Sequence, residues 1–114
     1  MPSFEKSPPE LVARFEAAAG RHPEATPRKM FGYPALFVGG NLVTGLFADR
    51  WMIRLAPDAL ATLLATPGAG PFSPMPDRPM RGYGLLPVDV VADDAALDGW
   101  LAQAIAFGRT LPPK

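Results

Sequence analysis

The residue types that perform most enzyme chemistry are rare in this sequence. It contains a single histidine, His22, and the nearest side chain that could join it as a metal ligand is Glu24. A mononuclear metal site needs three or four ligands, so we interpret His22 as a solvated loop residue. The three serines, Ser3, Ser7 and Ser73, lie in a tail, at a predicted helix cap and in a proline-rich loop. None belongs to a Gly-x-Ser-x-Gly motif, so a serine nucleophile is not predicted.

The carboxylates and glycines also favour structural roles. Asp93, Asp94 and Asp98 could hold a hard cation or act as an acid and a base. However, aspartates are favoured in the first turn of a helix by the helix dipole, and we prefer this capping role. The glycine pairs match neither Gly-x-Gly-x-x-Gly nor a phosphate-binding loop. The sequence therefore predicts no catalytic residue, no metal and no cofactor, and a protein that is not an enzyme.

The remaining candidates are basic side chains in the centre of the chain. Residues 26–82 carry six cations against three anions, a local net charge of +3, whereas residues 1–25 and 83–114 sum to −1 and −2. The six cations are candidate contacts to a partner or to nucleic acid: Arg28, Lys29, Arg50, Arg54, Arg78 and Arg81. Arg54 should alternate out of a strand and others lie near predicted sheet edges, so a basic sheet face or edge is possible in this fold.

Four aromatic residues bear on the role of this basic centre: Phe31, Phe37, Phe47 and Trp51. Aromatic side chains interleaved with cations are typical of surfaces that stack on nucleobases. Because these four lie in apolar runs, we favour a place in the core for them. Direct nucleic-acid binding is therefore the alternative interpretation, behind a protein partner.

Length and composition limit the class of protein. The chain has 114 residues, 48 % of them hydrophobic and 19 % charged, which is enough apolar material for one compact domain. Eleven Lys and Arg balance eleven Asp and Glu, so the overall charge does not attract polyanions. No apolar run reaches the roughly 18 residues of a membrane span, and no signal peptide is recognisable. The lack of cysteine fits a reducing compartment, so we expect a cytoplasmic protein without membrane contact.

The elements that must position these residues can be read from the apolar pattern. Ser7-Pro8-Pro9-Glu10 resembles a capping box and predicts a helix from about Pro9 to Ala19, followed by a loop through Pro27. Two apolar runs around a Gly39-Gly40-Asn41 turn predict a hairpin, and Trp51–Leu55 predicts a third antiparallel strand.

The second half of the chain predicts helices on either side of an extended segment. A short helix should begin at Pro57, and residues 67–79 carry five prolines and are expected to be extended with little strand pairing. Residues 80–91 can supply one or two further strands. The last helix, capped by Asp93 or Asp94, has an apolar stripe in which we place Trp100 at the centre of the core. The sum is an α+β, two-layer fold with an antiparallel sheet and helices packed on one face.

Several of these segments resemble the N-terminal domain of the TfoX/Sxy family, bacterial regulators of competence genes. The similarity lies in Arg28-Lys29-Met30-Phe31-Gly32, the Gly39-Gly40 hairpin and the strand Trp51–Leu55. It continues through Pro71-Phe72, the segment from Met80 to Pro87 with Tyr83, and the closing helix with Trp100, and so covers roughly residues 28–107.

The resemblance implies the element order α-β-β-β-α-β-β-α and a regulatory or interaction role without known catalysis. We expect one stand-alone domain of this kind over residues 1–114, with a core of about 8–108 and short disordered ends. We accordingly expect a non-enzymatic interaction module, a monomer or homodimer, linked to transcription through an unidentified protein partner. Nucleic-acid binding through a basic sheet face is the first alternative, and a small-molecule pocket between helix and sheet is the second.

Overall fold

The computed structural model describes residues 6–30, 32–73 and 80–113, which form four helices and six strands. The helices are α1 (Pro9–Arg21), α2 (Pro57–Leu64), α3 (Val88–Val91) and α4 (Asp94–Thr110). The strands are β1 (Thr26–Met30), β2 (Tyr33–Val38), β3 (Asn41–Phe47), β4 (Arg50–Arg54), β5 (Gly70–Pro71) and β6 (Tyr83–Leu85). Within these described ranges, no helix is long and apolar enough to cross a membrane.

All six strands belong to one open antiparallel sheet in the order β1-β2-β3-β4-β6-β5. The first four strands follow one another as a meander because their connections are tight. The turn between β2 and β3 consists of Gly39 and Gly40, whose φ angles of 58° and 83° suit a hairpin turn that other residues adopt poorly. One row of directly opposed residues crosses five strands: Arg28, Ala35, Gly45, Met52 and Leu85.

The main hydrophobic core lies between the helices and one face of this sheet. Residues from α1, α2, α3 and α4 belong to the same cluster as the buried side chains of β2, β3 and β4. Trp51 is central to it, 1 % exposed, with its ring 4.9 Å from that of Phe15. The predicted α+β class, with helices on one face of an antiparallel sheet, is therefore confirmed.

The other face of the sheet carries a smaller apolar cluster. Ala35, Leu42, Met52 and Phe72 are buried there, and partly buried side chains such as Tyr83 pack around them. Phe72 follows β5, and its backbone oxygen accepts a hydrogen bond from the amide of Met80 at 2.9 Å. The chain on both sides of residues 74–79 thus lies against this second face.

Alternation along β4 separates the two faces as predicted. Trp51, Ile53 and Leu55 enter the main core, whereas Met52 enters the second cluster. A strand places successive side chains on opposite faces, so Arg54 shares the face of Met52.

Two local predictions are wrong, and a third is narrowed by the structure. Residues 26–27 are not part of a loop but begin β1, which pairs with β2 along its whole length. Of the one or two strands predicted in residues 80–91, one is present as β6, and residues 88–91 form the short helix α3 with Pro87 as its N-cap. Ser7 does not cap α1: the N-cap residue is Pro8, and the Ser7 hydroxyl donates to the backbone oxygen of Ala48 at 2.6 Å.

In α4 the predicted N-cap, Asp93, is confirmed, but the prediction that Trp100 lies at the centre of the core is wrong. The Asp93 carboxylate accepts hydrogen bonds from the amides of Ala95 and Ala96, at 3.1 and 3.3 Å. Trp100 is only half-buried at the margin of the main core, because the fully buried stripe of α4 runs through other residues. These are Leu97, Leu101, Ala104, Ile105 and Gly108.

Other predictions fall outside the described residues. Of the ends predicted to be disordered, about residues 1–7 and 109–114, residues 1–5 and 114 lie outside the described ranges, and so do most of the prolines of the extended segment, in residues 74–79. Phe31 and the candidate contact Arg78 also lie outside the described ranges. The described part of the proline-rich segment contains the two-residue strand β5, which is in keeping with little strand pairing.

Candidate functional site

His22 is held between two carboxylates rather than in solvent. Its Nε2 lies 3.1 Å from Asp98 Oδ1, its Nδ1 lies 3.4 Å from Glu24 Oε1, and its side chain is only 12 % exposed. The interpretation of His22 as a solvated loop residue is therefore wrong, because α4 brings Asp98 against the end of α1. Among the residues described, no group of three His, Cys, Asp or Glu side chains could hold a metal ion.

The acidic residues of α4 pair with the basic residues of α1. Arg14 Nη1 lies 2.9 Å from Asp94 Oδ1, and Arg21 Nε lies 2.9 Å from Asp98 Oδ2. With Asp93 used as a helix cap, each candidate acid has a structural partner. These pairs lie at or near the surface, where each stabilises by only about 0–1 kcal/mol, so their main effect is to neutralise the cations of α1.

Arg50 has a structural role at the start of β4. Its Nη2 donates to the backbone oxygens of Gly68 and Leu86, at 3.1 and 3.3 Å. These bonds connect β4 to the segments that follow α2 and β6. The guanidinium is thus occupied by backbone acceptors of its own chain.

Arg54 lies at the opposite end of β4, between two aromatic rings. Its guanidinium carbon is 5.5 Å from the ring centre of Tyr83 and 5.9 Å from that of Phe107. Such contacts are attractive because the ring faces carry negative charge density. Arg81 is exposed in the turn before β6, next to Gly82, which lies beside the Arg54 side chain.

Arg28 and Lys29 lie on the exposed edge strand β1. The Arg28 guanidinium carbon is 5.9 Å from the ring centre of Phe37. Lys29 is opposed to Pro34 on β2, so the two side chains lie on the same face of the sheet. Leu36, two residues after Pro34, shares that face and enters the main core, so Lys29 points to the face on which α1 packs. Neither cation has a carboxylate within 4 Å in the part of the chain described.

The sheet separates the candidate cations into three places. Strands β1 and β4 are three positions apart, or about 14 Å, and the two ends of β4 are about 13 Å apart. The structure therefore brings Arg54 together with Arg81 and leaves Arg50 alone, whereas the neighbouring Arg28 and Lys29 form a pair whose side chains point to opposite faces of the edge strand. Arg78 lies outside the described residues and cannot be assigned to either pair.

An open groove runs between α1 and the β1–β2 hairpin, and we call it the α1–hairpin groove. It consists of two adjoining hollows of about 290 and 400 Å³ that share Glu16, Lys29 and Pro34. Phe15 forms the buried floor of one hollow, and the other is lined by further residues. These are Lys6, Ser7, Val12, Gly32 and Tyr33.

The sequence analysis selected Lys29 as a candidate contact near a sheet edge, but not Lys6 or Glu16. Both residues are far from the strands in sequence, and nothing in the local pattern relates them to Lys29. The available signal is the apolar stripe of α1, since Phe15 and Ala19 fix which side of the helix faces the sheet. Glu16 follows Phe15 and therefore lies at the border of that side.

The pKa of Tyr83 depends on its contact with Arg54. Burial raises the pKa of the Tyr83 phenol above its ordinary value of 10.0, while the charge of Arg54 and its hydrogen bond act in the opposite direction. Because the pKa of Tyr83 is higher in the folded than in the unfolded protein, the protonated phenol contributes to the free energy of unfolding. This contribution is fully present below pH 10 and is lost as the pH rises through the pKa of folded Tyr83.

Replacing Arg54 with glutamine should therefore raise the pKa of Tyr83 further. The substitution removes the positive charge that favours the phenolate and leaves the burial of the ring in place. The measurement is an alkaline titration of the Tyr83 Cζ resonance by NMR, assigned with Tyr83→Phe. Arg109→Gln, in the last turn of α4, is the control and should leave the titration unchanged. A lower pKa in Arg54→Gln would contradict the contact.

Comparison with known proteins agrees with this fold. The family model described as the TfoX N-terminal domain matches residues 10–108, which include all four helices apart from their outermost residues and all six strands. Neither the curated proteins nor the solved structures provide a match. The match spans most of the chain and includes the residues of the α1–hairpin groove other than Lys6 and Ser7. The chain therefore belongs to the family of the TfoX N-terminal domain.

Proposed function

We propose that this chain is a non-enzymatic regulatory domain that acts by binding a protein partner, in the control of transcription. The observation that carries the proposal is an exposed pair of cations, Arg28 and Lys29, beside an open groove with an apolar floor. Membership of the TfoX N-terminal domain family supports a regulatory role associated with competence. The lack of cysteine supports a cytoplasmic location.

The reactive residue types of the described chain are engaged in structural contacts, which supports a binding role over catalysis. His22 lies between Glu24 and Asp98, and Ser7 donates to the backbone of Ala48. Arg50 is bound to two backbone oxygens. A catalytic site needs a nucleophile or a base directed at a space where substrate can lie. The α1–hairpin groove presents mainly cations and apolar side chains, with Glu16 as its one carboxylate, and this lining suits recognition.

A protein partner is favoured over nucleic acid by the arrangement of the cations. Phosphate backbones are bound by several cations along a continuous surface, because affinity grows with the number of phosphates neutralised. Here the candidate cations are split among three places, and Arg54 is packed between Tyr83 and Phe107. A basic face of the sheet, as a nucleic-acid site requires, is not supported by these positions.

Affinity capture from the native cytosol tests this proposal. The immobilised wild-type chain is expected to retain a protein in stoichiometric amount at physiological ionic strength, after treatment of the extract with nuclease. Capture that disappears with nuclease would contradict the proposal in favour of nucleic-acid binding. Recovery of no stoichiometric protein would also contradict it.

A further inference from the structure

We propose that the α1–hairpin groove binds an acidic segment of the partner protein, with an apolar side chain of that segment against the groove floor. This inference deepens the proposed function and rests on it. The charge and the shape of the groove both favour an occupant of this kind.

The charge of the groove is positive and is not neutralised by its own chain. Lys6 and Lys29 direct their charges to it against one anion, Glu16, which leaves a net charge of +1, whereas the guanidinium of the neighbouring Arg28 lies over Phe37 on the other face of the sheet. None of these four makes an ion pair with any residue in the described ranges. The contrast with α1 is direct, since Arg14 and Arg21 of that helix are paired with carboxylates of α4. Unpaired cations lining a groove favour a ligand that carries carboxylates.

The floor of the groove requires an apolar group as well. In the hollow beside the middle of α1, the lining includes Phe15, Ala19, Pro34 and Ala35. Phe15 is almost completely buried and forms a fixed floor, and the half-buried Ala19 and Pro34 supply the accessible apolar surface beside it. An aliphatic or aromatic side chain placed there would exclude water from this surface, which stabilises association by about 25 cal/mol for each Å² of apolar area removed from water.

Two details distinguish a peptide from a nucleic acid in this groove. Glu16 lines both hollows, so a phosphate chain laid along the groove would meet a fixed negative charge at its middle. A peptide can avoid this repulsion by placing a backbone amide or a neutral side chain opposite Glu16. Pro27 lies in the edge strand β1 and lacks an amide hydrogen, so recognition is expected to depend on side chains rather than on extension of the sheet.

Direct binding of defined peptides tests the assignment. The probe is a short fluorescent peptide of glutamate and leucine, compared with the same peptide carrying lysine in place of glutamate and with single-stranded DNA of equal charge. The acidic peptide is expected to bind, and to bind more weakly as salt is added. Equal affinity for the DNA, or for the basic peptide, would overturn the inference.

Two pairs of variants locate the binding. Lys29→Glu should weaken the acidic peptide about tenfold, whereas Arg109→Glu, a charge reversal in the last turn of α4, should not. Ala19→Trp should fill the groove and prevent binding, whereas Ala13→Trp, at an exposed position of α1 outside the groove, should not. Thermal melts establish that each variant is folded. If Ala19→Trp fails to fold, the affinity of Lys29→Glu for the acidic peptide still tests the inference. Unchanged affinity in Lys29→Glu would overturn it.

The cytosolic capture experiment separates this inference from the function on which it rests. If the wild-type chain retains a protein that Lys29→Glu retains equally well, the groove assignment fails and the proposed function stands. If the wild-type chain retains nothing, the proposed function itself fails.

Discussion

Replacement of Trp51 with alanine is expected to destabilise the domain by about 3–5 kcal/mol, the usual cost of truncating a buried tryptophan. Small domains unfold with a total of about 5–15 kcal/mol, so this loss should leave much of the protein unfolded or easily denatured. The reason is position: Trp51 is 1 % exposed and packs against Phe15 in the main core. Its removal leaves a cavity that the sheet cannot close without moving α1.

A hydrogen-bond chain adds to the cost. Trp51 Nε1 donates to Thr44 Oγ1 at 2.7 Å, and the same hydroxyl donates to the backbone oxygen of Met52 at 2.7 Å. Thr44 is fully buried, so its oxygen would lose its donor in a place where water cannot replace it. Trp51→Phe keeps a large ring but removes the donor, and its cost should lie well below that of Trp51→Ala.

Trp100 provides the matched comparison for this prediction. It is the only other tryptophan in the sequence, and it is half-buried at the margin of the core. Trp100→Ala should therefore destabilise clearly less than Trp51→Ala, as measured by the free energy of unfolding in urea. Equal losses in the two variants would show that Trp51 is not the central residue of the core.

The misplacement of Trp100 shows what helical periodicity can and cannot predict. Its spacing from Leu97, Leu101 and Ala104 puts it on the apolar side of α4, and the helix does bury that side. The apolar side of a helix is wider than the strip of residues that directly contacts the sheet. The sequence indicates only the side, and the size of Trp100 favoured a place at its centre. The structure places the smaller Leu97, Leu101 and Ala104 on that line instead, and the large ring at the border.

Alternation predicted β4 better, because a strand has only two faces. The separation of Trp51 and Ile53 from Met52 and Arg54 follows from a period of two and needs no knowledge of neighbours. The residues that β4 packs against cannot be predicted from this alternation. Arg54 meets Phe107, which is 53 positions further along the chain, and that contact depends on where the end of α4 lies over the sheet.

Residues with two competing local roles were the least predictable. Ser7 stands in a sequence typical of a capping box, yet its hydroxyl binds Ala48, 41 residues away. His22 stands in a proline-flanked loop, yet it meets Asp98, 76 residues away. In both cases a tertiary partner outcompetes solvent or the local backbone. For the same reason the candidate site could be predicted only in part: Lys29 is evident as a strand cation, whereas its place beside Lys6 and Glu16 depends on the docking of α1.

The end of α4 also packs closely on β2 and β3, near the turn that joins these two strands. Gly108 has no side chain, and a Cβ atom built on it would lie 2.6 Å from Cγ1 of Val43 and 3.2 Å from Cβ of Val38. A contact of 2.6 Å between carbon atoms is well inside their van der Waals separation. Glycine at this position therefore sets the distance between helix and sheet.

Gly108→Ala is accordingly expected to destabilise the domain by about 1–3 kcal/mol, because the added methyl group forces α4 away from the sheet. Alanine favours a helix over glycine by about 1 kcal/mol, so the packing cost must exceed this gain for a net loss to appear. Gly99 is the control in the same helix, since a Cβ there meets nothing within 4 Å. Gly99→Ala should stabilise by about 0.5–1 kcal/mol. Urea denaturation of both variants should thus give shifts of opposite sign.

A compensating substitution identifies the cause of the loss. Val43→Ala alone should destabilise by leaving a cavity, but it removes the atom nearest to the new methyl group in Gly108→Ala. The double variant should then lose less stability than the sum of the two single losses, because the methyl group occupies the space that Val43 vacates. Strict additivity would show that the two positions do not touch, and that the close approach of α4 to the sheet is not what glycine permits.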